Sequence, residues 1–182
     1  MKRILLGAFG FLGLFTTLTT ATSCNEDNCK AIVCANGGVC EDDGACTCPV
    51  GFEGERCETV SRDKFIGVWT VTEDGSASSA TRYAVSVEQY PGEVTKVWIR
   101  NFNNQANAAV MAQVNGDTIV IPSQTYTVGQ ITKTVDGIGI VKDELYYGEH
   151  GQLSFKYIVR SSDGVVDDYG YDGGGTPSEW VK

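Results

Sequence analysis

The chain predicts a mostly β protein in two parts, a small disulfide-rich module followed by an antiparallel meander β-barrel of about 8–10 strands. Three observations carry that expectation. All the cysteines lie between Cys24 and Cys57, and none follows. Beyond Asp63, apolar and polar residues alternate with period two along several runs, the mark of a sheet with one buried face. Turn residues interrupt those runs at short intervals, and no stretch carries a convincing helix of more than about two turns.

A leader precedes both parts. Lys2 and Arg3 make a positive start, Ile4 to Phe15 is apolar and dotted with glycine, and threonines follow. That order fits a secretory signal, with an apolar run too short to span a bilayer comfortably. Thr20-Ala21-Thr22-Ser23-Cys24 resembles the lipobox of bacterial lipoproteins, with Ala21 where those proteins usually carry Leu or another aliphatic. The resemblance implies removal of residues 1–23, a diacylglyceryl group on the Cys24 thiol, and a tether at 24–28. A single acyl chain binds a bilayer marginally at ~0.8 kcal/mol per buried methylene, whereas two or three make dissociation negligible. An odd cysteine in an exported chain asks for such a use. The acids in Asn25-Glu26-Asp27-Asn28 resemble the surface-export tag of Bacteroidota-type lipoproteins, which implies the outer face of the outer membrane.

Charge narrows the partners. The formal net charge is −9, and loss of Lys2 and Arg3 with the leader makes it more negative. No basic cluster remains, which argues against nucleic-acid binding. An acidic body is repelled by anionic head groups, so membrane attachment falls to the lipid on Cys24. No other cofactor is expected.

The cysteine-rich module spans residues 29–57, with Cys29-x4-Cys34-x5-Cys40-x5-Cys46-x-Cys48-x8-Cys57. Six cysteines alone leave many pairings open. So short a segment cannot bury an adequate core, and cross-links worth ~2–4 kcal/mol each must supply its stability. The spacing, with Pro49, Gly51, Phe52 and Gly54 in the last loop, resembles the epidermal-growth-factor-like (EGF-like) module over its whole length. That resemblance implies the pairs Cys29–Cys40, Cys34–Cys46 and Cys48–Cys57, and a role as stalk or protein-contact unit. Asn25, Glu26 and Asp42 vaguely match the calcium ligands of some members, but the gap around Asp42 is short and lacks the aromatic. No metal is therefore expected.

Residues 58–63 form a linker too short for free domain motion, and 64–182 form the barrel. Tyr83, Val85 and Val87 alternate with polar neighbours, as do Leu153, Phe155, Tyr157 and Val159. Further runs cover Glu93–Phe102, Ala108–Val114, Asp117–Ile121, Ile131–Val135 and Glu144–Tyr147, separated by Pro91-Gly92, Asn115-Gly116, Asp136-Gly137 and Gly148. Asn115-Gly116 is the strongest hairpin signal. A meander of such strands closes on itself to remove its edges. Phe65-Ile66-Gly67-Val68-Trp69 resembles the opening motif of lipocalins, which implies a Trp packed across one barrel end. Ile99–Phe102 with Val114–Thr125 resembles a lipocalin-like domain of Bacteroidota-type lipoproteins. Trp180 belongs to a last strand that returns to the first. The inward set is expected to be Trp69, Tyr83, Trp98, Phe102, Phe155 and Tyr157, rings large enough to fill the interior.

Chemistry-bearing candidates are few. The single His150 sits in Gly148-Glu149-His150-Gly151, which reads as a solvated hairpin turn. Any Ser-His-Asp arrangement would have to use it. Asp163, Asp167, Asp168 and Asp172 with Tyr169 and Tyr171 precede Gly173-Gly174-Gly175, and read as a mobile acidic loop or, more sharply, a contact loop at Asp167, Asp168, Tyr169 and Tyr171. Asp117-Thr118-Ile119 resembles an O-glycan acceptor. The expected function is that of a non-catalytic accessory or protein-contact subunit of an outer-membrane assembly. The rival is a carrier of a small apolar ligand inside the barrel, and a hydrolase using a carboxylate pair comes third.

Overall fold

The computed structural model describes residues 28–146 and 150–182. The leader, Cys24, Asn25 and Glu26, with the tether up to residue 27, lie outside the described residues.

The disulfide-rich region opens with a 3-10 turn at Asn28–Ala31 and carries two short pairs of strands. β1 (Val39–Cys40) pairs with β2 (Cys46–Thr47), and β3 (Phe52–Glu53) pairs with β4 (Thr59–Val60). Disulfides join Cys29 to Cys40, Cys34 to Cys46 and Cys48 to Cys57. The expected linker is thus structured. Thr59–Val60 completes a hairpin and Ser61–Lys64 forms a 3-10 turn.

That turn locks the module to the barrel. The Arg62 guanidinium donates to the carbonyls of Tyr90, Glu93 and Lys96 in one barrel loop. Lys64 is buried between Glu53 of the module, 3.0 Å away, and Asp117 of the barrel, at 2.7 Å. Gly51 sits so close to Val94 and Thr95 that a Cβ would meet their side chains at 3.1 and 2.9 Å.

The barrel comprises β5 (Gly67–Glu73), β6 (Thr81–Gln89), β7 (Lys96–Arg100), β8 (Ala109–Asn115), β9 (Thr118–Val128), β10 (Ile131–Tyr146), β11 (His150–Ser161), β12 (Val166–Tyr169) and β13 (Ser178–Val181). Antiparallel pairing runs β5-β6-β7-β8-β9-β10-β11-β13 and back to β5, which closes an eight-stranded ring. β12 adds a partial strand beside β13 along β11. The return of Trp180 to the first strand is direct, with Trp180 opposite Val71.

Two local readings change. The hairpin at Asn115-Gly116 forms, but Asn115 still pairs with Thr118, so Gly116 and Asp117 make the turn. Asp136-Gly137 does not break the sheet; β10 runs straight through it. Gly137 and Gly139 face inward, where a Cβ would lie 2.7 Å from Tyr157 Cβ and from the Phe155 ring respectively. These glycines make room for rings rather than turns. At Pro122, which has no N–H for the ladder, the Gln124 side chain takes over. Its amide oxygen accepts from Met111 N–H at 2.8 Å and its nitrogen donates to Met111 O at 2.7 Å.

Inside, the rings form a continuous column. Trp69 meets Trp180 (centroids 6.4 Å), Trp180 stacks on Phe155 (5.2 Å), and Phe155 meets Tyr157 edge-on (6.1 Å). Tyr157 then stacks on Tyr169 (4.2 Å) and packs on Phe102 (4.9 Å), which reaches Tyr126 (6.2 Å). The expected inward set was right for Trp69, Tyr83, Phe102, Phe155 and Tyr157. It erred at Trp98, which shares the outward face with Lys96 and Arg100 and stacks on Tyr90 at 5.0 Å. Val97 and Ile99 take the inward positions, being fully buried. One residue of register decides which face a strand residue serves.

Candidate functional site

The two barrel ends differ. At the end that meets the module, Trp69 lies across the floor and donates from its indole N–H to Phe65 O at 2.8 Å. The Lys182 ammonium covers its ring at 4.5 Å and donates to Lys64 O and Ile66 O at 2.6 and 3.0 Å. Burial lowers the Lys182 pKa to about 8. Lys64 is raised instead: burial works against its charge, but hydrogen bonds to Asp117 and Glu53 outweigh it.

The opposite end holds a buried polar cluster centred on Glu73. Its position at the inward-facing end of β5 buries the carboxylate to 4 % exposure. Three hydroxyls donate to it: Tyr83 at 2.8 Å, Tyr157 at 2.7 Å and Ser178 at 2.8 Å. Ser178 in turn accepts the Trp180 indole N–H at 2.9 Å. Burial raises the Glu73 pKa above its ordinary value, and the three donors only partly oppose that. Burial also drives the hydroxyls of Tyr83, Tyr157 and Tyr169 well up, so they serve as donors at any physiological pH.

Asn103 links this cluster to a second carboxylate. Its side-chain nitrogen donates to Tyr157 Oη at 3.3 Å and Tyr169 Oη at 2.9 Å, and Tyr169 donates to Asp167 at 2.9 Å. Each stacked tyrosine therefore accepts from one amide and gives its proton to one acid. The loop that delivers Asn103 holds Asn101, Asn103 and Asn104 at φ of 59°, 53° and 53°. Asparagine tolerates that left-handed region better than other side chains. Phe102, between them, is driven into the barrel.

The acidic loop is ordered by its own carboxylates. Asp168 accepts N–H bonds from Tyr171 (2.7 Å), Asp172 (3.1 Å) and Gly174 (2.7 Å). Asp168 and Tyr169 are buried, and Asp167 accepts Ala77 N–H at 2.9 Å. Tyr171 alone of the four contact candidates is an exposed ring. The segment is a stapled turn plus strand β12, not a mobile connection. Its aromatic was legible in the sequence, but its burial was not, because it depends on β12 pairing with β11.

Other candidates lie apart. His150 opens β11 opposite Tyr146 at an exposed position. Asp42 is in the exposed β1–β2 turn, and its carbonyl accepts from the Asn28 side chain at 2.7 Å. Thr118 starts β9 beside Lys64's partner Asp117. Among the described residues no group of His, Cys, Asp and Glu has the arrangement to hold a metal ion.

The Glu73 cluster was not anticipated from the sequence. Glu73 alternates with Val71 and Trp69 on the inward side, and that period-two placement was its only signal. Chemically the cluster offers acceptors already matched to donors, which suits anchoring better than turnover. Outside it, among the described residues, the buried Tyr126 hydroxyl has no hydrogen-bond partner. A hollow of about 280 Å³ lies at the same end, between Gln105–Ala108 and Thr127–Gly129.

No family model matches the chain, and no solved structure matches it. Its own folding shows a disulfide-rich N-terminal region joined to a closed eight-stranded antiparallel barrel of lipocalin-like build.

Proposed function

We propose that the chain is a lipoprotein of the bacterial outer membrane, displayed at the cell surface and anchored through lipid on Cys24. Its EGF-like module and barrel act together as a non-catalytic accessory or protein-contact subunit of an outer-membrane assembly. The observation that carries this reading is the ring column: side chains of the chain itself occupy the barrel axis from Trp69 to Tyr126. A barrel so occupied offers its outside rather than its inside. The clamp formed by Arg62 and Lys64 supports it further, because a contact body held rigidly on its stalk loses less entropy on docking.

Intact-mass measurement of the cell-derived protein tests the anchor, which requires acyl groups on an N-terminal Cys24. Purification from membranes in several detergents tests the subunit role. A stoichiometric outer-membrane partner is expected throughout, and a lone monomer in every detergent would refute it.

The orphan Tyr126 hydroxyl favours one second reading, a carrier for a small apolar ligand bearing one hydrogen-bond acceptor. Native mass spectrometry would then show an adduct that Tyr126→Phe weakens.

A further inference from the structure

Net charge says nothing about where a protein keeps its cations, and here their placement coincides with an apolar surface. The barrel register puts Trp98 opposite Met111, Gln113 opposite Val120, and Val120 opposite Ile138, all on the outward side. Ile140 follows on the same side of β10. At a strand spacing of ~4.8 Å, this row crosses four strands and is roughly 15 Å wide. Val120 and Ile140 are 37 % and 53 % exposed, on a face where a water-soluble barrel is ordinarily polar. Nearer the module, two further valines are open to solvent: Val94 is 38 % exposed, and Val50, beside the Gly51 that packs on Val94, is 74 % exposed.

Cations border this row. Arg100 lies over the Trp98 ring at 5.4 Å and Lys96 over the Tyr90 ring at 5.7 Å. Lys156 stands opposite Ile138, and Lys142 follows Ile140 on β10. Three of the four have acid partners: Arg100 with Glu88, Lys96 with Glu93 and Lys142 with Glu179. The border therefore does not share the strongly negative balance of the whole chain. Exposed β-branched side chains, a Trp–Tyr pair and long cationic stems are the composition that settles at a bilayer's interfacial layer.

We propose that the outer face of β7–β10 rests on a lipid surface, so that the barrel lies against the membrane rather than standing away from it. This rests on the anchored reading above, with the tether supplying proximity and the face supplying orientation. Apolar burial provides the attraction, and the paired cations let the face approach without the repulsion an acidic body meets.

The test uses the cell-derived, acylated protein on phosphatidylcholine vesicles with and without phosphatidylglycerol, the lipids being brominated in one arm. Of the three tryptophans, Trp69 and Trp180 are buried, so Trp98 reports on the face. Brominated lipid is expected to quench the Trp98 share of the emission and spare that of buried Trp69 and Trp180, and Trp98→Phe to abolish the quenching. Val120→Glu with Ile140→Glu, both at exposed positions, is expected to leave the circular dichroism unchanged and remove the quenching. Cosedimentation without quenching would overturn the proposal while leaving the anchor intact. Absence of cosedimentation by a protein whose mass shows acylation would overturn both. Quenching that survives the double substitution would also overturn it. Crosslinking of this face to a protein, with no lipid quenching, would make it a protein interface instead.

Discussion

Tyr157→Phe is the most informative single change, because it removes one hydroxyl and leaves the ring column in place. The phenyl ring keeps its contacts with Tyr169, Phe102 and Phe155, so little cavity forms. What is lost is the 2.7 Å hydrogen bond to buried Glu73 and an acceptor for Asn103. A hydrogen bond to a charged group contributes about 1.5–3 kcal/mol, and one between neutral groups about 1 kcal/mol. The cost must then depend on whether Glu73 is ionised. Burial raises the folded-state pKa of Glu73 above the ordinary 4.5, so the folded state holds its proton longer than the unfolded chain. The stability Glu73 contributes is fully present below pH 4.5 and is lost as pH rises through the raised folded value. Removing a donor raises that value further, so the loss extends to higher pH in the variant. The gap between wild type and Tyr157→Phe should widen from about 1 kcal/mol at the acid side of the window to about 2 kcal/mol above it. Urea unfolding followed by tryptophan fluorescence, repeated across pH, reads this directly. At the upper end Tm should fall by roughly 6 °C for a domain of this size. A gap that stays constant with pH would refute the assignment of Glu73 as the titrating group.

Other changes follow from the same packing. Glu73→Gln should flatten the pH dependence of stability above pH 4.5, and an unchanged slope in urea titrations would count against it. Gly139→Ala places a methyl 2.7 Å from the Phe155 ring, so overpacking should cost about 1–3 kcal/mol in a melting experiment. Gln124→Ala removes both bonds to the Met111 backbone. It should lower stability by about 2 kcal/mol and speed amide exchange at Met111, with distant amides unaffected.

Much of the architecture was open to reading from residue order. Period-two alternation in Tyr83–Val87 and Leu153–Val159 marks a one-sided sheet whatever its partners, because the pleat sends neighbours to opposite faces. Cysteine clustering marks the small module for a similar reason, since a core that small needs covalent help. Trp180 as the closing strand was legible too. The polar cluster was not. Glu73 looks like any acid near a turn, and only the convergence of β5, β6, β11 and β13 brings Tyr83, Tyr157 and Ser178 onto its oxygens.

The chain's own order of residues determined that it would be β-rich, divided in two, and cross-linked before position 58. Only the folded form decided that Gly137 and Gly139 yield space to rings, that Trp98 faces out while Tyr169 faces in, and that an acid sits among tyrosines. The division has a physical cause. Alternation and covalent spacing are local properties carried along the backbone, whereas register and ring closure pair residues as far apart as Glu73 and Ser178, which no local pattern encodes.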